Sequence, residues 1–192
     1  MRCAEFDNQE RELLLRIARA SIEQGFARTQ ALSEQELVAA DMMRPGLYRQ
    51  RASFITLTRD GELRGCTGSL EACRTVAADV ARSAYRSAFS DYRFPSLQPR
   101  ELGELRIEIA VLSPQMEIEV DTEQELIEML QPLEDGLVID DGPHRATFLP
   151  KVWESIPDAR QFLSELKRKA GLPGDYWSPD IRVYRYHTES FG

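Results

Sequence analysis

Cysteine is scarce in this chain. Three residues in 192, Cys3, Cys66 and Cys73, are an odd number with no CxxC spacing. That excludes a disulfide framework and argues against a zinc ribbon. Histidine is scarcer still, with only His144 and His187, so a histidine-rich metal site is excluded as well. No apolar run approaches the roughly 20 residues that a membrane span needs. The stretch "MRCAEFDNQE" has no apolar signal core, and a cytoplasmic location without membrane association is the expectation. There is no GxGxxG and no P-loop, hence no sign of a nucleotide cofactor, and no other cofactor or metal is indicated. Positive charge is also in deficit. A net charge of −8, without an aromatic repeat, argues against nucleic acid as a partner.

What is present is ordinary globular material, 42% hydrophobic and 29% charged. The length fits one domain, or one with a small appended lobe, and suffices for a sizeable core. Charge is unevenly spread. Residues 44–106 hold eleven arginines against seven acids, whereas residues 107–141 hold eleven acids and no base. The arginine-rich segment either holds a small anion or pairs with the acidic stretch that follows it.

Hydrophobic spacing predicts a helix over 7–24, opened by Asp7 and Glu10 as a capping box and ended by Gly25. "ASFITLT" and "ELRGCTGSL" flank Asp60-Gly61, a strong hairpin signal. A helix of small residues follows over 74–90, with Val76, Val80, Ala84 and Ala88 in one stripe. Then come an alternating strand over 105–113, a short strand at 117–120, and a helix capped by Thr122 and Glu125. A second hairpin turns at "DDGP", a helix runs from Asp158 to Ala170, and "IRVYRYH" is a last strand. This order implies an α+β fold with mostly antiparallel sheets and flanking helices. Hairpin, helix and strand follow one another twice, which reads as a duplication without residue-level repetition.

Chemistry is concentrated on the second strand of the first hairpin. Cys66 stands between Gly65 and Thr67, with Gly68 beyond. Glycines weaken a strand, so they serve a bulge, a close backbone approach, or room above the thiol. Strand alternation puts Arg64 on the face of Cys66 if no bulge intervenes, and a nearby arginine favours the reactive thiolate. The alternative is a packed, inert cysteine. Asp91 and Arg93 leave the 74–90 helix at "DYRFPSL", where Arg93 can grip an anion or satisfy the helix end. Glu108 is the polar residue of an apolar strand. It is either the outward partner of Arg106 or a group lining the same cleft as Cys66. His144 and His187 have no spacing that marks either as a base.

"LRGCTGSL", "DYRFPSL", "LRIEIAVLSP", "TFLPKVWE" and "FLSELKRKAGL" with "DYW" occur in this order. Together they resemble the AmmeMemoRadiSam system protein A family, or AMMECR-one domain, over nearly the whole chain. Leu63, Arg64, Gly65, Cys66, Gly68, Asp91, Arg93, Phe94 and Arg145 match the family pattern. Thr67, Tyr92, Ala146, Lys151 and Lys167 depart from it. The resemblance implies one domain, residues 1–192, of two intertwined, unequal lobes with a cleft beside the "LRGC" motif. It also implies association with a radical SAM protein and a Memo-like protein, and it brings no established activity. On this reading Cys66 is a nucleophile or thiol acceptor. Arg64, Gly65, Thr67, Gly68, Asp91, Arg93, Glu108 and Arg145 bind a small anionic ligand or a macromolecule. The competing expectation is a noncatalytic binding or scaffold module.

Overall fold

A computed structural model describes residues 5–192, so Cys3 lies outside the described residues. The chain divides into two compact units, one of residues 1–112 with 189–192 and one of residues 113–188.

The first unit opens with helix α1, Asn8–Arg28. The capping box is formed: Asp7 accepts from the Glu10 N–H at 2.8 Å, and the Glu10 carboxylate accepts from the Asp7 N–H at 3.2 Å. The helix does not stop at Gly25. It runs three residues further to a left-handed cap at Thr29, φ 54°. Gly25 serves a close approach instead, since a Cβ there would lie 2.3 Å from the Phe89 ring. Helix α2, Glu34–Ala39, is capped by Ser33. Strands β1, Ser53–Arg59, and β2, Glu62–Gly68, form the hairpin. Asp60 and Gly61 both carry positive φ, 53° and 83°, as a two-residue turn of the I′ kind requires.

Helix α3, Val76–Phe89, has Thr75 as its N-cap and buries its predicted stripe completely or nearly so. Strand β3, Leu105–Leu112, follows, and β8, Thr188–Phe191, completes the sheet in the order β2-β1-β3-β8. Strand β8 has no periodic sequence signal. Its residues are polar apart from Phe191, which packs against the core. α1 and α3 pack together on one face of this sheet, where Ile55, Leu57, Ile107 and Ile109 point inward.

The second unit has β4, Met116–Ile118, α4, Glu123–Met129, β5, Gly136–Asp141, β6, His144–Phe148, α5, Ala159–Lys169, and β7, Arg182–Tyr186. Its sheet order is β4-β7-β5-β6. In each unit the first hairpin strand lies between its partner and the strand that follows the helix. β1, β2, α3 and β3 therefore correspond to β5, β6, α5 and β7. The duplication is real at the level of topology. The core of this unit is centred on Trp153, stacked on Phe162 at 3.7 Å with the rings 3° apart. No helix among the described residues is long and apolar enough to cross a membrane.

Candidate functional site

The hairpin register decides where Cys66 points. From the turn, Arg59 pairs with Glu62 and Thr58 with Leu63, but Leu57 pairs with Gly65. Arg64 is the extra residue of a bulge. Counting without the bulge would set Cys66 opposite Ile55, a core residue. With it, Cys66 stands opposite Thr56 on the face away from the helices. Thr56 in turn pairs with Glu108 on β3, so Cys66, Thr56 and Glu108 form one row across three strands. Directly opposed partners share a sheet face. Glu108 is therefore on the thiol's face, two strands away.

β2 is an edge strand, and its free edge is closed by side chains rather than by another strand. The Cys66 N–H donates to Asp91 Oδ2 at 2.8 Å, and Arg93 Nη2 donates to the Cys66 carbonyl at 3.0 Å. Both backbone groups of Cys66 thus face away from β1. The Cys66–Thr56 pair is then the narrow, non-hydrogen-bonded kind, with Cα atoms about 4.5 Å apart. Its side chains meet: Thr56 Oγ1 and Cys66 Sγ are 3.4 Å apart. Cys66 is partly exposed, unbridged, and not a member of the apolar core.

Asp91 and Arg93 are themselves locked. Arg93 Nε donates to Asp91 Oδ1 at 2.9 Å and Nη2 to Oδ2 at 2.7 Å, and the Arg93 N–H adds a third bond at 3.2 Å. The guanidinium, helped by the Cys66 N–H, holds the Asp91 carboxyl down at about 2 against the opposing effect of burial. Arg64 is likewise engaged. Its Nε and Nη2 donate to Glu101 at 2.8 and 3.1 Å, and Arg64 holds the Glu101 carboxyl at about 2. Glu101 is 7% exposed.

The two glycines make room for backbone and ring, not for a ligand over the thiol. A Cβ on Gly65 would sit 2.1 Å from the Ser87 carbonyl of α3, and one on Gly68 would sit 2.4 Å from the Phe54 ring and the Ser53 carbonyl. Thr67 faces α3, its N–H donating to Ser87 Oγ at 2.9 Å and its hydroxyl to the Ser83 carbonyl at 3.2 Å. Ser87 Oγ in turn donates to the Ile55 carbonyl at 2.8 Å. The N–H groups of Cys66 and Thr67 are therefore already used internally.

One unit thus brings together Cys66, Arg64, Gly65, Thr67, Gly68, Asp91, Arg93 and Glu108. Arg145 belongs to the second unit, on β6, where its Nε is 3.4 Å from Asp140 Oδ2 on the neighbouring strand. His144 and His187 are also residues of that unit. Their Nδ1 atoms bond the carbonyls of Ala170 and Glu134 at 3.0 and 2.9 Å. Thr56, Ser87 and Glu101 did not stand out in the sequence. Thr56 needs the bulge to be known, and Ser87 lies within a helix of small residues that reads as packing alone. Among the described residues no cluster of histidine, cysteine and carboxylate could hold a metal ion.

The paired units and the clamped cysteine strand define an α+β protein built by topological duplication, with a Leu-Arg-Gly-Cys strand at the edge of its first sheet. The chain belongs to the AMMECR1 family, whose pattern matches residues 15–191. It is 34% identical over 194 residues to a protein of Methanothermobacter thermautotrophicus, covering 100% of this chain and 98% of the relative. A Methanopyrus kandleri protein is 32% identical over 192 residues, covering 95% of this chain and 88% of that one. The crystal structure of an uncharacterized Pyrococcus horikoshii protein matches with a TM-score of 0.85 and 28% identity, over 97% of this chain and 93% of the other.

Proposed function

We propose that this protein acts through the Cys66 thiol on a small anionic or macromolecular substrate, in the cytoplasm, as the A component of an AmmeMemoRadiSam system. Its partners are a radical SAM protein and a Memo-like protein. The observation that carries this reading is the placement of the sulfur. It lies outside the apolar core, with a hydroxyl at 3.4 Å, on a strand whose backbone is fixed on both sides of the thiol. A structural cysteine has no need of such a mount, because free cysteine packs as a small hydrophobe. The Thr56 hydroxyl lies within hydrogen-bond reach of the sulfur, and the Arg93 guanidinium is held beside the same residue by its bond to the Cys66 carbonyl.

The test is alkylation of the native protein with iodoacetamide, read at each cysteine by peptide mass spectrometry. Cys66 is expected to label without denaturant. Labelling only after unfolding ends the proposal. Tagged protein co-purifying with the radical SAM and Memo-like proteins, but not after Cys66→Ser, would tie the thiol to the partnership.

A noncatalytic scaffold is favoured by a different observation. Arg64 and Arg93, the two guanidinium groups flanking the motif, are both committed to internal carboxylates. On that reading Cys66→Ser leaves partner capture and cellular function intact.

A further inference from the structure

The donors nearest Cys66, along the chain and across the edge of β2, are already engaged. The bulge carries Arg64 out of the row, and its guanidinium is taken by Glu101. Arg93 is held by Asp91 and by the Cys66 carbonyl. The Cys66 N–H goes to Asp91 and the Thr67 N–H to Ser87. One group is left. Among the described residues, the sulfur's one hydrogen-bond partner is Thr56 Oγ1 at 3.4 Å, and that hydroxyl has no other. Both residues are half-buried. The register makes the contact, because Thr56 and Cys66 are direct partners across β1 and β2. β-Branching also restricts the Thr56 side chain at χ1, so the strand settles where the hydroxyl lies. With the thiol protonated, either atom can donate. A thiolate can only accept, and a threonine hydroxyl rotates to donate.

We propose that Thr56 is the positioning residue of the Cys66 thiol: its hydroxyl donates to the sulfur once the proton has left, and holds it on the outer face of the sheet. This inference rests on the reading of Cys66 as the reacting thiol. A hydrogen bond to the charged form of a group favours that form. In the reaction the thiol gives its proton to solvent, and a sulfur electron pair forms the new bond to the electrophilic carbon. The leaving group departs with the pair of the bond that breaks. Thr56 neither gains nor loses a proton. The charged groups around the sulfur are Asp91 and Arg93 beyond the free edge of β2, Arg64 with Glu101, and Glu108 in the same row on β3. All of them stay in place when Thr56 alone is changed.

The experiment follows iodoacetamide labelling of the full chain at stepped pH, with the rate at each cysteine read by peptide mass spectrometry. Exposed Cys73 serves as the internal reference. Thr56→Val keeps the shape and strand preference of the side chain without the hydroxyl. It is expected to raise the midpoint of the Cys66 rate against pH by about one unit. Nucleophilicity rises with basicity, so the high-pH rate should be about threefold higher in the same variant. A change in access alone would alter that high-pH rate and leave the midpoint in place. Thr56→Ser returns the hydroxyl and should restore the midpoint. If Thr56→Val does not fold, Thr56→Ala removes the same hydroxyl and carries the same expectation. An unchanged midpoint in the variant without a hydroxyl overturns this inference and leaves Cys66 as the reacting thiol. A serine variant that keeps the raised midpoint overturns it too. No labelling of native wild-type Cys66 at any pH overturns the reading of the thiol itself, and this inference falls with it.

Discussion

Gly65 shows how one missing methyl group positions a site. The Ser87 carbonyl that a Cβ would strike is backbone within a helix and cannot swing aside. Overpacking of this kind typically costs about 1–3 kcal/mol. Gly65→Ala is therefore expected to lower the unfolding free energy read from urea titration by an amount in that range, whereas Gly103→Ala, which meets open space, should leave it unchanged. Asp91 gives a second residue-scale expectation. Its folded-state pKa is depressed to about 2, below the ordinary aspartate value near 4. A depressed carboxyl contributes stability that is fully present above the unfolded value and is lost as pH falls toward the folded one. Unfolding free energy should thus fall between about pH 4 and pH 2. Glu101 adds to the same fall through Arg64. Arg93→Gln should flatten the Asp91 share of the slope and leave the Glu101 share, a difference that urea titrations at stepped pH will resolve.

At the scale of elements, the caps carry testable weight. The α1 capping box satisfies two N–H groups that the helix cannot, and Asp7→Ala should cost about 1 kcal/mol in equilibrium unfolding. Helices and hairpins were legible in the sequence because their signals are local. A cap and its partner are three residues apart, and a hairpin is marked by its turn. What the sequence left hidden depends on pairing between distant segments. Arg64 reads as the neighbour of Cys66 by simple alternation, and the bulge that displaces it from that row exists only once β2 lies against β1. Asp91 and Arg93 read as an anion grip or a helix stop. Their work as a substitute strand along the β2 edge depends on contacts 25 and 27 residues back in the chain. Such a clamp also blocks edge-to-edge pairing with other molecules, the usual hazard of an open strand. Strand β8 was missed because four mostly polar residues carry no periodicity, and the neighbouring β3 recruits them into the sheet.

The whole molecule is organised around an interrupted unit. Residues 189–192 belong with residues before 113. Glu189 fastens this return: its carboxylate accepts from the Glu5 N–H at 2.6 Å, the Phe6 N–H at 3.4 Å and Arg11 Nε at 3.0 Å. Deleting residues 189–192 removes these bonds and the packing of Phe191. It is expected to destabilise the first unit by about 2–4 kcal/mol. Hydrogen exchange should then quicken in β3 while β5 and β7 keep their protection. Uniform loss of protection across both sheets would instead show that the units unfold as one. The same interruption imposes an order on synthesis. As the chain emerges from the ribosome, residues 113–188 are complete before the final strand of the earlier sheet has been made. The newborn first unit must wait with the flank of β3 uncovered until residues 189–191 have emerged, and that interval is when nascent-chain chaperones would have most to shield.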